Sequence, residues 1–402
     1  MKIALLNSLY YPYQLGGAER ATQMLAEQLA QAGHAVCVIT LCERGVASAA
    51  WLNGVKVHRL PLRNWFWPYS QQRRSAPQRA AWHLRDFDNA AMARHVARVL
   101  DAERPQVLHS NNLAGFSTSA WREAHRRGIP IVHTLHDYYL MCPPSAMYRK
   151  GANCEGTCAR CSPFAAHRCA ASAQVDAAFG VSAHILQRHL ESGFFGSARS
   201  GVVYNSASAV KAKVRARKER SDGVVFGYLG RICPEKGVPW LLAAFTATAR
   251  PQDRLIVAGT GMPRYVERMR RDFAHPSVSF AGHVRPASFY EGVDVAVVPS
   301  LWHEPFGRTV IEAMAHGVPV IGSRRGGIPE AVEHGVTGVL VDPDDPDSLA
   351  RALQRVIAEP EWASRMATNA ARALARFSEG ASLDAYHSAY RAAACTKAAV
   401  AA

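Results

Sequence analysis

Two carboxylates, Glu304 and Glu312, stand eight positions apart in "HEPFGRTVIE", with a Pro-Phe-Gly turn just after the first. A helix is predicted to begin past that turn, with Gly307, Arg308 and Thr309 in its first turn and Phe306 leading in. Free backbone N–H groups at such an N-terminus form a ready phosphate site. Glu312 lies deeper in the helix, and Glu304 is fixed ahead of it by Pro305. A carboxylate accepts paired hydrogen bonds from a vicinal diol, so acids on either side of a phosphate suit sugar hydroxyls better than proton transfer. In "LGRICPEKG", Arg231 and Lys236 are five apart across a Pro-containing turn. A guanidinium fork and an ammonium point charge there can converge on a diphosphate. Each piece alone is equally compatible with a charged surface turn; together they describe a grip for a nucleotide sugar.

The first half of the chain carries weaker signals. Gly16 and Gly17, in "SLYYPYQLGGAER", follow the first apolar run and open a helix. Two glycines there let backbone approach an anion, although a plain strand-to-helix turn needs them too. "HTLHDYY" puts His136 and Asp137 at the end of another apolar run, where they could meet a transferred sugar or its acceptor. His109, in "LHSNN", is a weaker candidate for the same contact. If the strand alternates, His133 faces the other way and reads as a structural histidine.

These residues must be held by a frame. Short apolar runs at 2–7, 35–41, 55–61, 106–110, 129–137, 177–182 and 201–205 alternate with helical patterns, one of them an Arg-rich helix over Leu84–Glu103. The alternation restarts at 223–231, 254–259, 278–283, 295–300, 318–323 and 337–342. This is the pattern of two Rossmann-like, doubly wound parallel-sheet domains. The expected boundaries are 1–205, a polar linker 206–222, and 223–377. In such sheets ligands sit at the carboxyl ends of strands, and every motif above falls at one.

The combination "GGAER", "HTLHDYY", "VSAHI", "VYN", "GRICPEKG", "GTG", "PSLWHEPFGRTVIEAMAHGVPVI" and "GGIPEAV" resembles the retaining glycosyltransferases of the B fold, family 4 type. Glu304 and Glu312 match that family's E-x7-E pattern. The resemblance implies that two domains face each other across a cleft, the second binding a nucleoside-diphosphate sugar and the first the acceptor. It assigns Arg231 and Lys236 to the diphosphate, Glu312 to the ribose, Glu304 to the sugar hydroxyls and the Phe306–Thr309 backbone to the phosphate. Gly16-Gly17 would approach from the opposite domain, and a functional His or Asp of the family lies near His136. The stretch 378–402, with Tyr386 and Tyr390 at helical spacing, is expected to cross back onto the first domain. Retention without a placed nucleophile implies front-side attack, with cationic groups rather than a divalent ion at the leaving diphosphate. The expected reaction is hexosyl transfer to a glycan or lipid-linked glycan in cell-surface biosynthesis. A catalytically silent sugar-nucleotide-binding subunit and a sugar-nucleotide epimerase of the same fold are the competing readings.

Composition narrows the remaining choices. The 402 residues carry a formal charge of +15. Residues 1–205 hold 22 Lys/Arg against 12 Asp/Glu, and "KAKVRARKER" adds six bases and one acid. A basic half suits an anionic partner. The segment 62–87, with Trp65, Phe66, Trp67, Tyr69 and Trp82 among arginines, suits an anionic membrane surface, with glycan stacking and core packing as alternatives. Nucleic-acid binding accounts for the charge and none of the motifs. A dehydrogenase is disfavoured, because "GTG" lacks the first-strand position and the later ribose acid. No apolar run approaches eighteen residues, so a cytoplasmic protein, peripheral on the inner face of the cytoplasmic membrane, is expected. Cys154, Cys158, Cys161 and Cys169 could supply four thiolates for a structural zinc; free thiols compete with that reading. No cofactor is required for the chemistry expected.

Overall fold

Strongly apolar runs become strands buried on both faces, as parallel sheets require. The computed structural model describes residues 1–13, 16–70, 72–207 and 223–401, so most of the linker expected at 206–222 lies outside the described residues. The chain divides into two compact units. One comprises Met1–Met147, Glu155–Val203 and Ser382–Ala402; the other comprises Tyr148–Cys154 and Tyr204–Ala381.

The strands are β1 (Lys2–Leu6), β2 (Ala35–Cys42), β3 (Ser48–Leu52), β4 (Val55–Pro61), β5 (Val107–Ser110), β6 (Ile131–Leu135), β7 (Tyr148–Arg149), β8 (Ala152–Asn153), β9 (Ala177–Gly180) and β10 (Arg199–Val202). The first unit's sheet runs β10-β9-β6-β5-β1-β2-β4-β3. Within it, among the described residues, only β3 pairs antiparallel, on β4. The order reverses between β1 and β5, and Gly16, Asn111 and His136 follow β1, β5 and β6.

The second half adds β11 (Val225–Leu229), β12 (Arg254–Ala258), β13 (Val278–Gly282), β14 (Val295–Val298), β15 (Val320–Ser323) and β16 (Gly338–Val341). They form one parallel sheet ordered β13-β12-β11-β14-β15-β16. Its order reverses between β11 and β14. The loops leaving those two strands carry Lys236 and Glu304, at the point where an open α/β sheet parts to admit a ligand.

The core of the first unit gathers Ile3, Leu5, Val36, Val38, Val107 and Val132 with Tyr386 and Tyr390 of the helix Glu379–Ala401. That helix ties the end of the chain to β5 and β6: Tyr390 Oη lies 2.6 Å from His109 Nδ1, and Tyr386 Oη lies 3.0 Å from Thr134 Oγ1.

Two local expectations are corrected, and the aromatic segment divides between its alternatives. The helix expected over Leu84–Glu103 is two helices, Ala76–Arg85 and Ala90–Glu103. Between them Asp86 turns inward to accept from Gly115 N at 2.8 Å and Tyr139 Oη at 2.6 Å, and Asn89 caps the second helix through Met92 N. Short polar side chains compete with helix hydrogen bonds in this way. Strand β10 begins at Arg199 rather than at 201. Of the aromatic 62–87 segment, Trp67 and Trp82 are buried and only Trp65 is prominently exposed, at 74%. Trp82 donates its indole N–H to Phe66 O.

Candidate functional site

The loop after β11 is short and ends in a 3-10 turn, Pro234–Lys236. The turn directs Lys236 inward, and its ammonium lies 2.5 Å from Glu304 Oε1 and 5.0 Å from the centre of the Trp302 ring. Ser300 Oγ donates to the same carboxylate oxygen at 2.6 Å. Burial alone would raise the pKa of Glu304. The Lys236 charge and hydrogen bonds from Lys236, Ser300 and Trp302 outweigh that and hold it below the ordinary glutamate value. The buried acid is therefore ionised, with a cation fixed against it.

Backbone packing sets its place. Gly327 N donates to Glu304 O at 2.8 Å. Gly326 has φ +58°, and a Cβ there would lie 2.0 Å from Glu304 O, so no other residue fits without moving the acid. Leu301 N and Trp302 N both donate to Glu235 O, at 2.9 and 3.2 Å, which joins the Lys236 loop to the Glu304 loop.

The expected helix is present as Arg308–Ala315, with Gly307 at its N-cap at φ +88°. The backbone N–H groups of Arg308 and Thr309 lie in the first turn, where an α-helix has no internal acceptors for them. The Phe306 side chain is spent elsewhere, packed 5.5 Å from Tyr204 and 5.6 Å from Phe377 by ring centroids, leaving its backbone to the site. Arg308 Nη2 reaches Glu312 Oε1 at 3.2 Å, one turn along the same helix. The two cations read together from sequence go to different acids: Lys236 to Glu304, and Arg231, largely exposed, to Glu235 at 3.4 Å. Lys236, Glu304, Ser300 and Trp302 form one cluster; Arg308 and Glu312 form a second pair.

In the first unit, His136 Nε2 lies 3.0 Å from Asn111 Oδ1. The amide nitrogen of Asn111 is buried without a protein partner. Asp137 accepts from Tyr139 N at 2.8 Å, and burial pushes its pKa to about 6. Gly16 is the N-cap of the helix Gly17–Gln31, whose first turn already contains the buried carboxylate of Glu19. That acid answers the positive end of the helix from within. His109 is a correction. It is fully buried, its two ring nitrogens contact Tyr390 Oη and Thr134 Oγ1, and burial drives its pKa to about 3. It is a core residue and not an acceptor contact. His133, also buried, is bonded to Ser110.

The zinc expected at Cys154, Cys158, Cys161 and Cys169 is a second correction. Among the described residues no group of three or more His, Cys, Asp or Glu is arranged to hold a metal ion. Cys169 donates to Gly193 O at 3.2 Å, while Cys161 points to Cys142, with the sulfurs 3.9 Å apart. Among the described residues no cysteine is joined in a disulfide.

Sequence reasoning missed Ser300, Trp302 and Asn153. The last donates from Nδ2 to Leu301 O at 2.8 Å and accepts from His303 N at 2.9 Å. Ser300 and Trp302 stand within the motif already singled out. Asn153 is far away in sequence and carried no signal.

Known proteins resemble the chain along most of its length. Residues 16–205 match the glycosyl transferase 4-like domain, and residues 223–359 match the glycosyl transferases group 1. An uncharacterized 42.6 kDa protein in the cps region of Klebsiella pneumoniae is 33% identical over 330 residues, covering 82% of this chain and 87% of that protein. Glycogen synthase of Mycobacterium tuberculosis is 27% identical, covering 93% of this chain and 90% of that enzyme. The structure of Anabaena Alr3699/HepE in complex with UDP and glucose superposes with a TM-score of 0.70 at 20% identity, covering 98% of this chain and 100% of that one. With two parallel α/β units, each carrying its half of the family pattern, the chain belongs to the group 1 glycosyltransferases of the B fold.

Proposed function

We propose that the chain is a retaining hexosyltransferase. It moves a sugar from a nucleoside-diphosphate sugar to a glycan or lipid-linked glycan in cell-surface polysaccharide or glycolipid synthesis. The observation that carries this reading is the buried Glu304, held by Lys236 and Ser300 at the reversal of the second sheet. The UDP and glucose in the Anabaena structure support the nucleotide-sugar class.

In this reading Lys236 and Arg231 neutralise charge on the departing diphosphate. The backbone N–H groups of Gly307, Arg308 and Thr309 receive a phosphate. Glu304 takes hydroxyls of the transferred sugar, and Glu312 takes the ribose diol. Such preorganised donors and charges act most strongly on the transition state, where leaving-group charge develops. His136, oriented by Asn111, and the neighbouring Asp137 are assigned to the sugar or acceptor, and Gly16 and Gly17 to backbone contact with the donor. The cationic side chains supply what a divalent ion would supply elsewhere, so transfer is metal-independent. Activity that survives exhaustive chelation supports this; activity that returns only with magnesium or manganese contradicts it.

The acceptor side carries the basic first half. Among the described residues no helix is long and apolar enough to cross a membrane. Trp65 is exposed beside Arg63, Arg73 and Arg74 in sequence, which suits reversible docking on anionic lipid at about 1 kcal/mol per engaged base. Co-sedimentation with anionic vesicles at low salt, weakened by high salt and absent with neutral lipid, is the expected result.

A further inference from the structure

The hairpin β7–β8 leaves the sequence of the first unit at Met147 and returns at Glu155, yet residues 148–154 belong to the second unit. Its turn residues Lys150 and Gly151 both have positive φ, 52° and 83°, which is the tight two-residue turn that matches strand twist. The turn fixes the register Tyr148↔Asn153 and Arg149↔Ala152. Asn153 is thereby delivered to the loop after β14. Its side-chain amide there imitates a strand: Nδ2 donates to Leu301 O and Oδ1 accepts from His303 N.

We propose that Asn153 is a positioning residue for donor chemistry, setting the 301–303 backbone and through it the Lys236–Glu304 pair. The inference rests on the donor-site reading above. The amide holds the residues on either side of Trp302, whose ring lies against Lys236, and His303 immediately precedes Glu304. From the other side Glu235 O holds Leu301 N and Trp302 N. Gly327 N holds Glu304 O itself, so the loop has three anchors, and only Glu235 comes from the loop that carries Lys236. Releasing the Asn153 side lets Glu304 drift while Arg231, Lys236 and the helix N-terminus remain to hold a diphosphate. A displaced group of this kind costs turnover more than binding.

The test compares wild type, Asn153→Ala and Asn153→Asp by turnover of UDP-, GDP- and ADP-glucose and by calorimetric affinity for UDP, GDP and ADP. Asn153→Ala is expected to lower kcat about tenfold or more. KM, affinity for the nucleoside diphosphate and Tm should stay close to wild type. In Asn153→Asp the ionised carboxylate keeps the acceptor but lacks the donor, and protonation restores an O–H donor. At about pH 8 its kcat should therefore fall as the alanine variant's does. An alanine kcat within about twofold of wild type overturns the inference, as does a loss that merely follows Tm, or an aspartate kcat close to wild type at about pH 8. If the wild type turns over no sugar nucleotide, the functional reading fails and this inference with it. Wild-type turnover matched by the alanine variant sinks this inference alone.

Discussion

The pair of half-buried Lys236 and buried Glu304 separates stability from function at the level of single residues. Removing Lys236 leaves an ionised carboxylate buried with only neutral donors, a change that costs about 3–5 kcal/mol. Lys236→Ala is therefore expected to abolish transfer and lower Tm, whereas the double variant Lys236→Ala/Glu304→Gln recovers Tm and not activity. Equal Tm for the single and double variants would contradict the pairing. Gly326→Ala should be as damaging to transfer as a change in the acid itself, because the added methyl would sit on the Glu304 carbonyl at 2.0 Å. Glu312→Ala should sharply lower transfer and also lower Tm, since its partner Arg308 is buried and loses its carboxylate. Steady-state kinetics beside thermal melts check both. The acids and Lys236 were legible because their types and spacing fall at strand ends. Asn153 was not legible, because its role depends on a hairpin that joins a distant part of the sequence to the loop it holds. His109 shows the opposite failure: a polar residue at a strand end looks functional until its ring is seen packed among Tyr386, Tyr390 and Thr134.

Among the elements, the long buried strands announced themselves by their apolar runs, and the alternation with helices gave the sheet class. Strand β3 was missed because "SAAWL" is mostly exposed and carries little β-pattern. The sequence did contain its signal: Asn53-Gly54, both at positive φ, is the strongest short hairpin dipeptide. The break at Asp86–Asn89 was hidden because the helical periodicity continues around it, and only tertiary partners for Asp86 reveal it. The helix Glu379–Ala401 also depends on tertiary partners. Tyr390→Phe strips a hydrogen bond from a buried imidazole and is expected to cost about 1–3 kcal/mol. Tyr386→Phe removes the bond to Thr134 and should cost less, because Thr134 keeps His109. Chemical denaturation measures both; a Tyr390→Phe variant as stable as wild type would show that the helix is held by apolar packing alone.

For the whole molecule, acid is the expected weakness. Burial holds His109 near pKa 3 and His83 and His189 near 4, and it lowers His133 well below its ordinary value. Groups with depressed folded pKa values stabilise above their unfolded value of about 6.5 and lose that contribution as pH falls. Asp86 and Asp137, raised by burial to about 7 and about 6, act in the opposite sense: they add stability as pH drops through that range. Four histidines outweigh two aspartates, at about 1.4 kcal/mol per proton per pH unit. Tm should therefore decline between about pH 6.5 and about pH 5, and a Tm that is flat or rises over that interval would contradict these protonation states. The uneven charge of the chain was readable from composition, but which aromatics near it reach solvent was not: Trp67 and Trp82 turn inward and Trp65 does not. Donor chemistry is assigned to the second unit, with Lys236 and Glu304 at the reversal of its sheet. It is tested most sharply by turnover of UDP-, GDP- and ADP-sugars by wild type and Lys236→Ala in the presence of chelator. Wild type is expected to cleave sugars of one nucleotide class without metal, and Lys236→Ala to lose about a hundredfold or more of that rate. Wild-type inactivity towards all three, or undiminished turnover by Lys236→Ala, would contradict the assignment.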